Sequence, residues 1–286
     1  MIRPFELHRP TTIAEASGLL MTLPESALYR GGTELLQVMK LGLARFAHLI
    51  DLKRIPALHG ITTDEAGSIR IAAGTVHHEI ERSTAVRAAW PALAELERHV
   101  ANPRVRSIGS IGGNLCFAEP HSDPAALLLA ADARLELEGA AGRRTIAVDD
   151  FILGPLESDV APGELLTAIV LPAPAAGMTL AYRRLALAER PTASVACRLT
   201  VLHGVVVEVR LAVGAIGVRP VLATVASAAL TGVPVTDLEE AIRVASPLVG
   251  QACEVVDEPG ASAEYRRHLA GVLAGRAVRA ATELMA

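Results

Sequence analysis

Two glycine-rich turns most constrain what this chain can fold into: Arg30-Gly31-Gly32-Thr33-Glu34 and Ser107-Ile108-Gly109-Ser110-Ile111-Gly112-Gly113-Asn114-Leu115-Cys116. The first follows a short apolar strand, Ala27-Leu28-Tyr29, and precedes Leu35, Leu36, Val38 and Met39 at helical spacing. A further strand spans residues 47–52, so strand, turn, helix and strand together predict one βαβ unit. Glycine has no Cβ and tolerates positive φ, which lets several backbone N–H groups approach one anion. A pair of such turns points to a ligand with two phosphates, and therefore to a dinucleotide. A glycine pair between strand and helix is also explained as a bare turn; the presence of two favours the ligand reading. Neither turn has the G-x-G-x-x-G spacing of a Rossmann site, and no Walker A lysine follows either. The expected binding mode is therefore non-Rossmann.

The polar neighbours refine this. Thr33 offers a hydroxyl donor, and Asn114 can both donate to and accept from a ribityl or phosphate oxygen. Glu34 at the helix start suits the helix dipole but not a phosphate, so its side chain should turn away or meet a ribose or an arginine. Ser122-Asp123-Pro124 opens a helix that continues through Ala131, with Asp123 expected as N-cap and Pro124 at the first helical position. Such a cap is worth roughly 1 kcal/mol. A hydrogen bond from Asp123 to an adenosine ribose is equally open, and the two roles are compatible.

The rest of the chain alternates helices and strands. Helices are predicted over residues 11–23, from His77, over 91–99 and from about Ser262, with Thr11 or Thr12 capping the first. Strands are predicted over 68–72, 134–138, 143–148, 165–171, 193–202 and 205–213, the last two joined at His203-Gly204. Thr236 and Glu239 have capping-box spacing. Pro172-Ala173-Pro174-Ala175-Ala176-Gly177 reads as a linker.

Composition excludes several partners. A net charge of −4 without a basic block, and only 3% aromatic residues, argue against a nucleic acid. Cys116, Cys197 and Cys253 stand far apart with no CxxC pair, as buried small hydrophobes would; neither a disulfide framework nor a zinc or iron–sulfur site is expected. His77-His78-Glu79 and His121-x-Asp123 lack ligand spacing, so no metal is expected. The N-terminus has no apolar signal core, and the longest apolar run, Ala125 to Ala131, is far short of a membrane span, which predicts a cytoplasmic protein.

These motifs resemble the FAD-binding medium subunits of molybdenum hydroxylases, the group that includes xanthine and carbon monoxide dehydrogenases. The family pattern A-G-G-[TH]-[DES]-L-L reads here as Arg30 to Leu36, and T-I-G-G-N-L-C…S-D-P-x-A reads as Ser110 to Cys116 and Ser122 to Ala126. Pro4-Phe5-Glu6 and Ser262 to Arg267 also fit, so the likeness spans nearly the whole chain. It implies an α+β protein: a two-part FAD-binding domain like that of vanillyl-alcohol oxidase (the PCMH type), then a C-terminal domain of small antiparallel sheet and helices. The expected divisions are a βαβ subdomain over 1–55, a larger α+β subdomain over 56–172, and the C-terminal domain over 173–286.

The implied role is electron transfer. A large molybdenum-cofactor subunit would oxidise the substrate, and a small subunit with two [2Fe–2S] clusters would pass electrons to FAD on this chain. From there they would reach an external acceptor, within a dimer of heterotrimers. By position, Arg30, Gly31, Gly32, Thr33, Glu34 and Leu35 with Ser110, Ile111, Gly112, Gly113 and Asn114 would hold the pyrophosphate and ribityl chain. Ser122 and Asp123 would serve the adenosine side, Leu166 would pack near the isoalloxazine, and Arg183, beside Tyr182, would take the place of a flavin-edge lysine. His77 would lie beside the second turn. Three departures stand out: Arg30 replaces a small residue, Phe117 a polar one, and Ala188-Glu189-Arg190-Pro191 occupies the place of a xanthine-type Arg-Arg-x-Asp. A scaffold subunit that has lost FAD, or a self-sufficient FAD reductase or oxidase, would share the same fold.

Overall fold

The computed structural model describes residues 2–187 and 190–285. Its first sheet has three strands: β1 (Glu6–His8), β2 (Ser26–Tyr29) and β3 (His48–Asp51), with β3 in the middle and parallel to both neighbours. Helix α1 (Ile13–Thr22) joins β1 to β2, and α2 (Leu35–Leu41) joins β2 to β3. The predicted βαβ unit is therefore present, extended by a strand that the sequence pattern had not marked. Thr12 caps α1, accepting from the Glu15 N–H at 3.1 Å. Ala16, Ile50, Ile55, Leu58 and Leu165 form a small core beneath this sheet.

A five-stranded sheet follows, ordered β4 (Ile61–Thr63), β5 (Ile69–Ala72), β10 (Leu165–Leu171), β6 (Arg134–Gly139) and β7 (Gly142–Ala147). The strand predicted over 165–171 lies at its centre, antiparallel to β5 and β6, and is buried at nearly every position. Burial on both faces accounts for its continuous apolar sequence, LLTAIVL. Between β5 and β6 run the short helices α3 (His77–Arg82), α4 (Thr84–Ala89), α5 (Pro91–Arg98), α6 (Pro103–Arg106), α7 (Ile111–Phe117) and α8 (Asp123–Ala130). Helix α9 (Val148–Phe151) and a small ribbon, β8 (Ile152–Gly154) with β9 (Glu157–Ser158), complete this part.

Past the 172–177 segment, β11 (Met178–Leu185), β12 (Ala193–Leu202), β13 (Val205–Gly214) and β14 (Val221–Leu222) make an antiparallel sheet in sequence order. Alternation along β12 divides its side chains between two cores. Ala196 faces α8, whereas Val195, Cys197 and Leu199 face α10 (Thr224–Leu230), α11 (Leu238–Val249) and α12 (Ala263–Glu283). The architecture is thus α+β, with an FAD-domain-like first part and a small sheet-plus-helix second part. Among the described residues, no helix is long and apolar enough to cross a membrane.

Two of the expected helix caps fail. Thr236 and Glu239 form no capping box: Asp237 precedes α11 without a side-chain cap, Thr236 bonds to Asp237, and Glu239 instead makes a two-pronged ion pair with Arg279 of α12. A carboxylate that can reach a fork of guanidinium donors gains more there than from one backbone N–H. The second failure concerns Asp123 and bears on the site.

Candidate cofactor site

The two glycine turns meet face to face, with Gly31 against Ile108 and Gly109 against the Thr33 hydroxyl. A Cβ on Gly31 would stand 2.2 Å from the Ile108 carbonyl oxygen, and one on Gly112 would stand 2.6 Å from Ala73. Both positions are closed to side chains by protein rather than by open space for a ligand. Gly32 adopts φ +70°, and a Cβ there would strike the Tyr29 ring at 2.5 Å. The Arg30 side chain spans the junction, donating from Nη1 to the Ile108 carbonyl at 3.2 Å.

The turns differ in what their N–H groups do. The second is a helix start, not the free turn expected. Ser110 caps α7, and the N–H groups of Ile111, Gly112, Gly113 and Asn114 donate to Thr75 O, Ala73 O, Ser110 Oγ and Ser110 O. Those donors are spent on the protein. In the first turn, the N–H groups of Gly31, Gly32, Thr33, Glu34 and Leu35 meet no protein acceptor among the described residues. Arg30 Nε is likewise buried without a partner. Burial holds the Arg30 guanidinium below its ordinary pKa, against the pull of Glu79 and Asp51. A run of free N–H groups beside a desolvated cation is an anion-binding concavity.

Two joined cavities open onto this concavity. One, of about 290 Å³, is lined by both turns together with Leu28, Leu35, His77, Phe117 and Leu166. The other, of about 310 Å³, adds Ser122, Asp123, Arg184 and Arg190. Thr33, Glu34, Val100, Asn114 and Phe117 line both. Glu34, on the lining of both cavities, pairs with Arg190 at 3.2 Å, and Arg190 also holds Glu119 at 2.6 Å. Ser122 Oγ donates to Asn114 Oδ1 at 2.5 Å, and so orients the amide that faces the cavity. Ala188 and Glu189, at the xanthine-type pattern, lie outside the described residues.

Asp123 is not the N-cap. Ser122 holds that position, without a side-chain bond, and the buried Asp123 carboxylate accepts from Tyr182 Oη and from Arg184 Nη1, the latter at 2.6 Å. Burial raises its pKa, opposed by Tyr182 and Arg184. Burial also raises the Tyr182 hydroxyl well above its ordinary value, and the Asp123 charge adds to this. Arg183, the residue matched to a flavin-edge lysine, is exposed and lines neither of these two cavities. It donates to the Tyr182 carbonyl at 2.9 Å and lines a third cavity of about 500 Å³, bounded by α5, β11 and α12, which shares His99, Asp123 and Arg184 with the second. Tyr182 also lines that cavity, and Arg184 lines both it and the cavity beside Ser122.

His77 lies beside the second turn as expected. Its N–H donates to the Gly109 carbonyl, and its Nδ1 stands 2.5 Å from Glu97 Oε2, with both side chains buried. Glu97 was not anticipated: twenty residues away and on another helix, it carries no spacing signal. Cys197 is buried, with burial pushing its thiol up to about 12, whereas Cys116 and Cys253 are only half-buried; all three are free.

The family model described as the FAD binding domain in molybdopterin dehydrogenase matches residues 3–174, and that of the carbon monoxide dehydrogenase flavoprotein C-terminal domain matches 181–281. The chain belongs to the FAD-binding medium-subunit family of molybdenum hydroxylases. It is 35% identical to the carbon monoxide dehydrogenase medium chain of Hydrogenophaga pseudoflava over 98% of each chain. The medium chain from Afipia carboxidovorans is also 35% identical, over 97% of this chain and 96% of the relative. A solved structure of the Hydrogenophaga pseudoflava carbon monoxide dehydrogenase superposes with a TM-score of 0.94 at 36% identity, covering 99% of each chain. As a member of this family, the protein is an FAD-dependent oxidoreductase subunit. The residues present fit that cofactor: free N–H donors and a half-buried arginine for a diphosphate, and two joined cavities for the groups at either end.

Proposed function

We propose that this chain is the flavoprotein relay of a molybdenum hydroxylase complex. It receives electrons from the two [2Fe–2S] clusters of a small subunit and passes them to an external acceptor, while a large molybdenum-cofactor subunit oxidises the substrate. FAD, when bound, supplies the redox chemistry, since it can take up electrons one at a time and give them up singly or in pairs. The chain's own residues bind and orient it. The N–H groups of Gly31 to Leu35 and the Arg30 guanidinium hold the pyrophosphate. Asn114, steadied by Ser122, serves the ribityl or ribose hydroxyls. Leu166 and Phe117 exclude water from the cavity. Arg190 pairs with the Glu34 carboxylate and offsets its charge beside the phosphates.

The observation that carries this reading is the run of unpaired N–H groups in the first turn. A scaffold subunit that had lost FAD would have no reason to keep those donors free beside a half-buried arginine whose Nε has no partner. Cytoplasmic location and assembly as a dimer of heterotrimers follow from the same family reading. The test is the absorbance of the purified chain after incubation with FAD and desalting. Wild type should retain flavin bands. Thr33→Asp, which puts a carboxylate beside the pyrophosphate donors, should lose at least about tenfold in affinity with its thermal unfolding unchanged in the absence of flavin. Equal flavin retention by both proteins would remove the first turn from the binding site. No retention by wild type would favour the scaffold reading.

A further inference from the structure

The first sheet brings together a side-chain cluster that has no part in the cofactor cleft. Glu6 and His8 stand two residues apart on β1, and Glu6 pairs directly with His48 in the parallel β1–β3 register. Side chains on a strand alternate faces, so Glu6, His8 and His48 project from the same side of the sheet. Their donor atoms converge. His8 Nε2 lies 3.1 Å from His48 Nδ1, His48 Nδ1 lies 3.6 Å from a Glu6 carboxylate oxygen, and His8 Nε2 lies 3.9 Å from the other. All three donor atoms fall within 4.8 Å of one another.

The rings do not stack. Their centroids are 5.2 Å apart and the planes are tilted by 50°, so ring edges rather than faces meet. Among the described residues, no lysine or arginine is within ion-pair distance of Glu6; the imidazoles are its partners. A tetrahedral zinc ion with bonds of about 2.0–2.2 Å spaces neighbouring donors by roughly 3.3–3.5 Å. The three separations found here bracket that range.

We propose that Glu6, His8 and His48 form a surface site for a divalent late first-row transition ion, with zinc as the best match. Two imidazoles and one carboxylate supply three ligands, and water completes the tetrahedron. Nitrogen donors select zinc, copper or nickel over magnesium and calcium, which prefer all-oxygen shells. The ion would tie the three-residue edge strand β1 to the central strand β3. This site is independent of flavin binding.

The test uses the full-length chain without a histidine tag, dialysed against zinc and analysed for metal content. Wild type should hold one more zinc per chain than His8→Gln or His48→Gln. Added zinc should raise the unfolding temperature of wild type but not of these variants. Glu6 is largely exposed, so Glu6→Gln preserves the strand even if a histidine variant fails to fold; it should weaken zinc uptake measurably. Retained flavin and an unchanged circular dichroism spectrum confirm the fold in each case. Failure of wild type to take up zinc would overturn the proposal, as would zinc uptake by the Glu6→Gln and histidine variants equal to that of wild type. Displacement of zinc by an equal concentration of magnesium would do so too.

Discussion

At the scale of single residues, the glycines teach the sharpest lesson. Sequence spacing marks Gly31 and Gly112 as positions that exclude a side chain, and that much was legible. The reason was not, because the atoms that fill the space belong to Ile108 and Ala73, far along the chain. Substitution by alanine at either position drives a Cβ into backbone that cannot yield. Gly31→Ala and Gly112→Ala should each destabilise the protein by roughly 2–4 kcal/mol, visible as a lower unfolding midpoint even without flavin. Any flavin loss in those variants would be secondary, which is why Thr33→Asp is the cleaner probe of the anion site. Asp123 illustrates the same limit from the other side. Asp-Pro at a helix start predicts a cap from local chemistry, whereas the partners that claim the carboxylate, Tyr182 and Arg184, lie on a distant strand. Local propensity could not see them.

At the scale of elements, long periodic segments were readable and short ones were not. The strand over 165–171, the 193–202 and 205–213 hairpin and the helix beginning after Ser262 carry enough apolar pattern to declare themselves. Helix α7 does not, since its first turn contains two glycines, which weaken helix propensity, and tertiary acceptors at Ala73 and Thr75 hold its start instead. Helix α12 carries a second feature that pattern alone misreads. Arg266 faces the core, fully buried, donating to the carbonyls of Thr192, Val256 and Ala215 and pairing with Glu258 at 2.9 Å. Arg266→Ala leaves those acceptors unpaired and should cost about 3–5 kcal/mol in chemical denaturation.

Glu258 also receives His121 Nε2 at 2.7 Å, while His121 Nδ1 meets Glu119 at 2.9 Å. The hydrogen bond to Glu119 leads in raising the His121 pKa above its ordinary value, although partial burial opposes it. The folded state therefore holds this proton more tightly than the unfolded chain does. The stabilisation is complete below the ordinary imidazole value of about 6.5 and fades as pH rises through the raised one. Between those limits wild type should lose unfolding temperature with rising pH more steeply than His121→Ala, as thermal melts across that range will show.

At the scale of the whole molecule, the 172–177 segment joins two parts that share one hydrophobic core. Leu127, Leu128 and Leu129 of α8 pack with Leu180, Ala196 and Ala212 of the following sheet. Arg198 and Arg210 donate to the carbonyls of Ala131 and Leu129 at the end of the same helix. Proteolytic cleavage between Ala175 and Ala176 should therefore leave the halves associated through size-exclusion chromatography at micromolar concentration. Separation of the cut halves would show that the linker itself maintains the contact. The sequence pattern said nothing about the packing across this segment, because apolar periodicity reports which face is buried and not what buries it.

The bond between Asp123 and Tyr182 crosses that same linker, and the two family models divide the chain between these residues. Recombination at the linker, whether by evolution or by an engineer joining the front of one relative to the back of another, would break up a set of three. Asp123 would arrive from one parent, and Tyr182 with Arg184 from the other. A parent lacking the tyrosine and arginine would leave a buried carboxylate stranded at the mouth of the cofactor cleft. Exchange of this chain's halves at the linker is thus constrained by a trio of side chains.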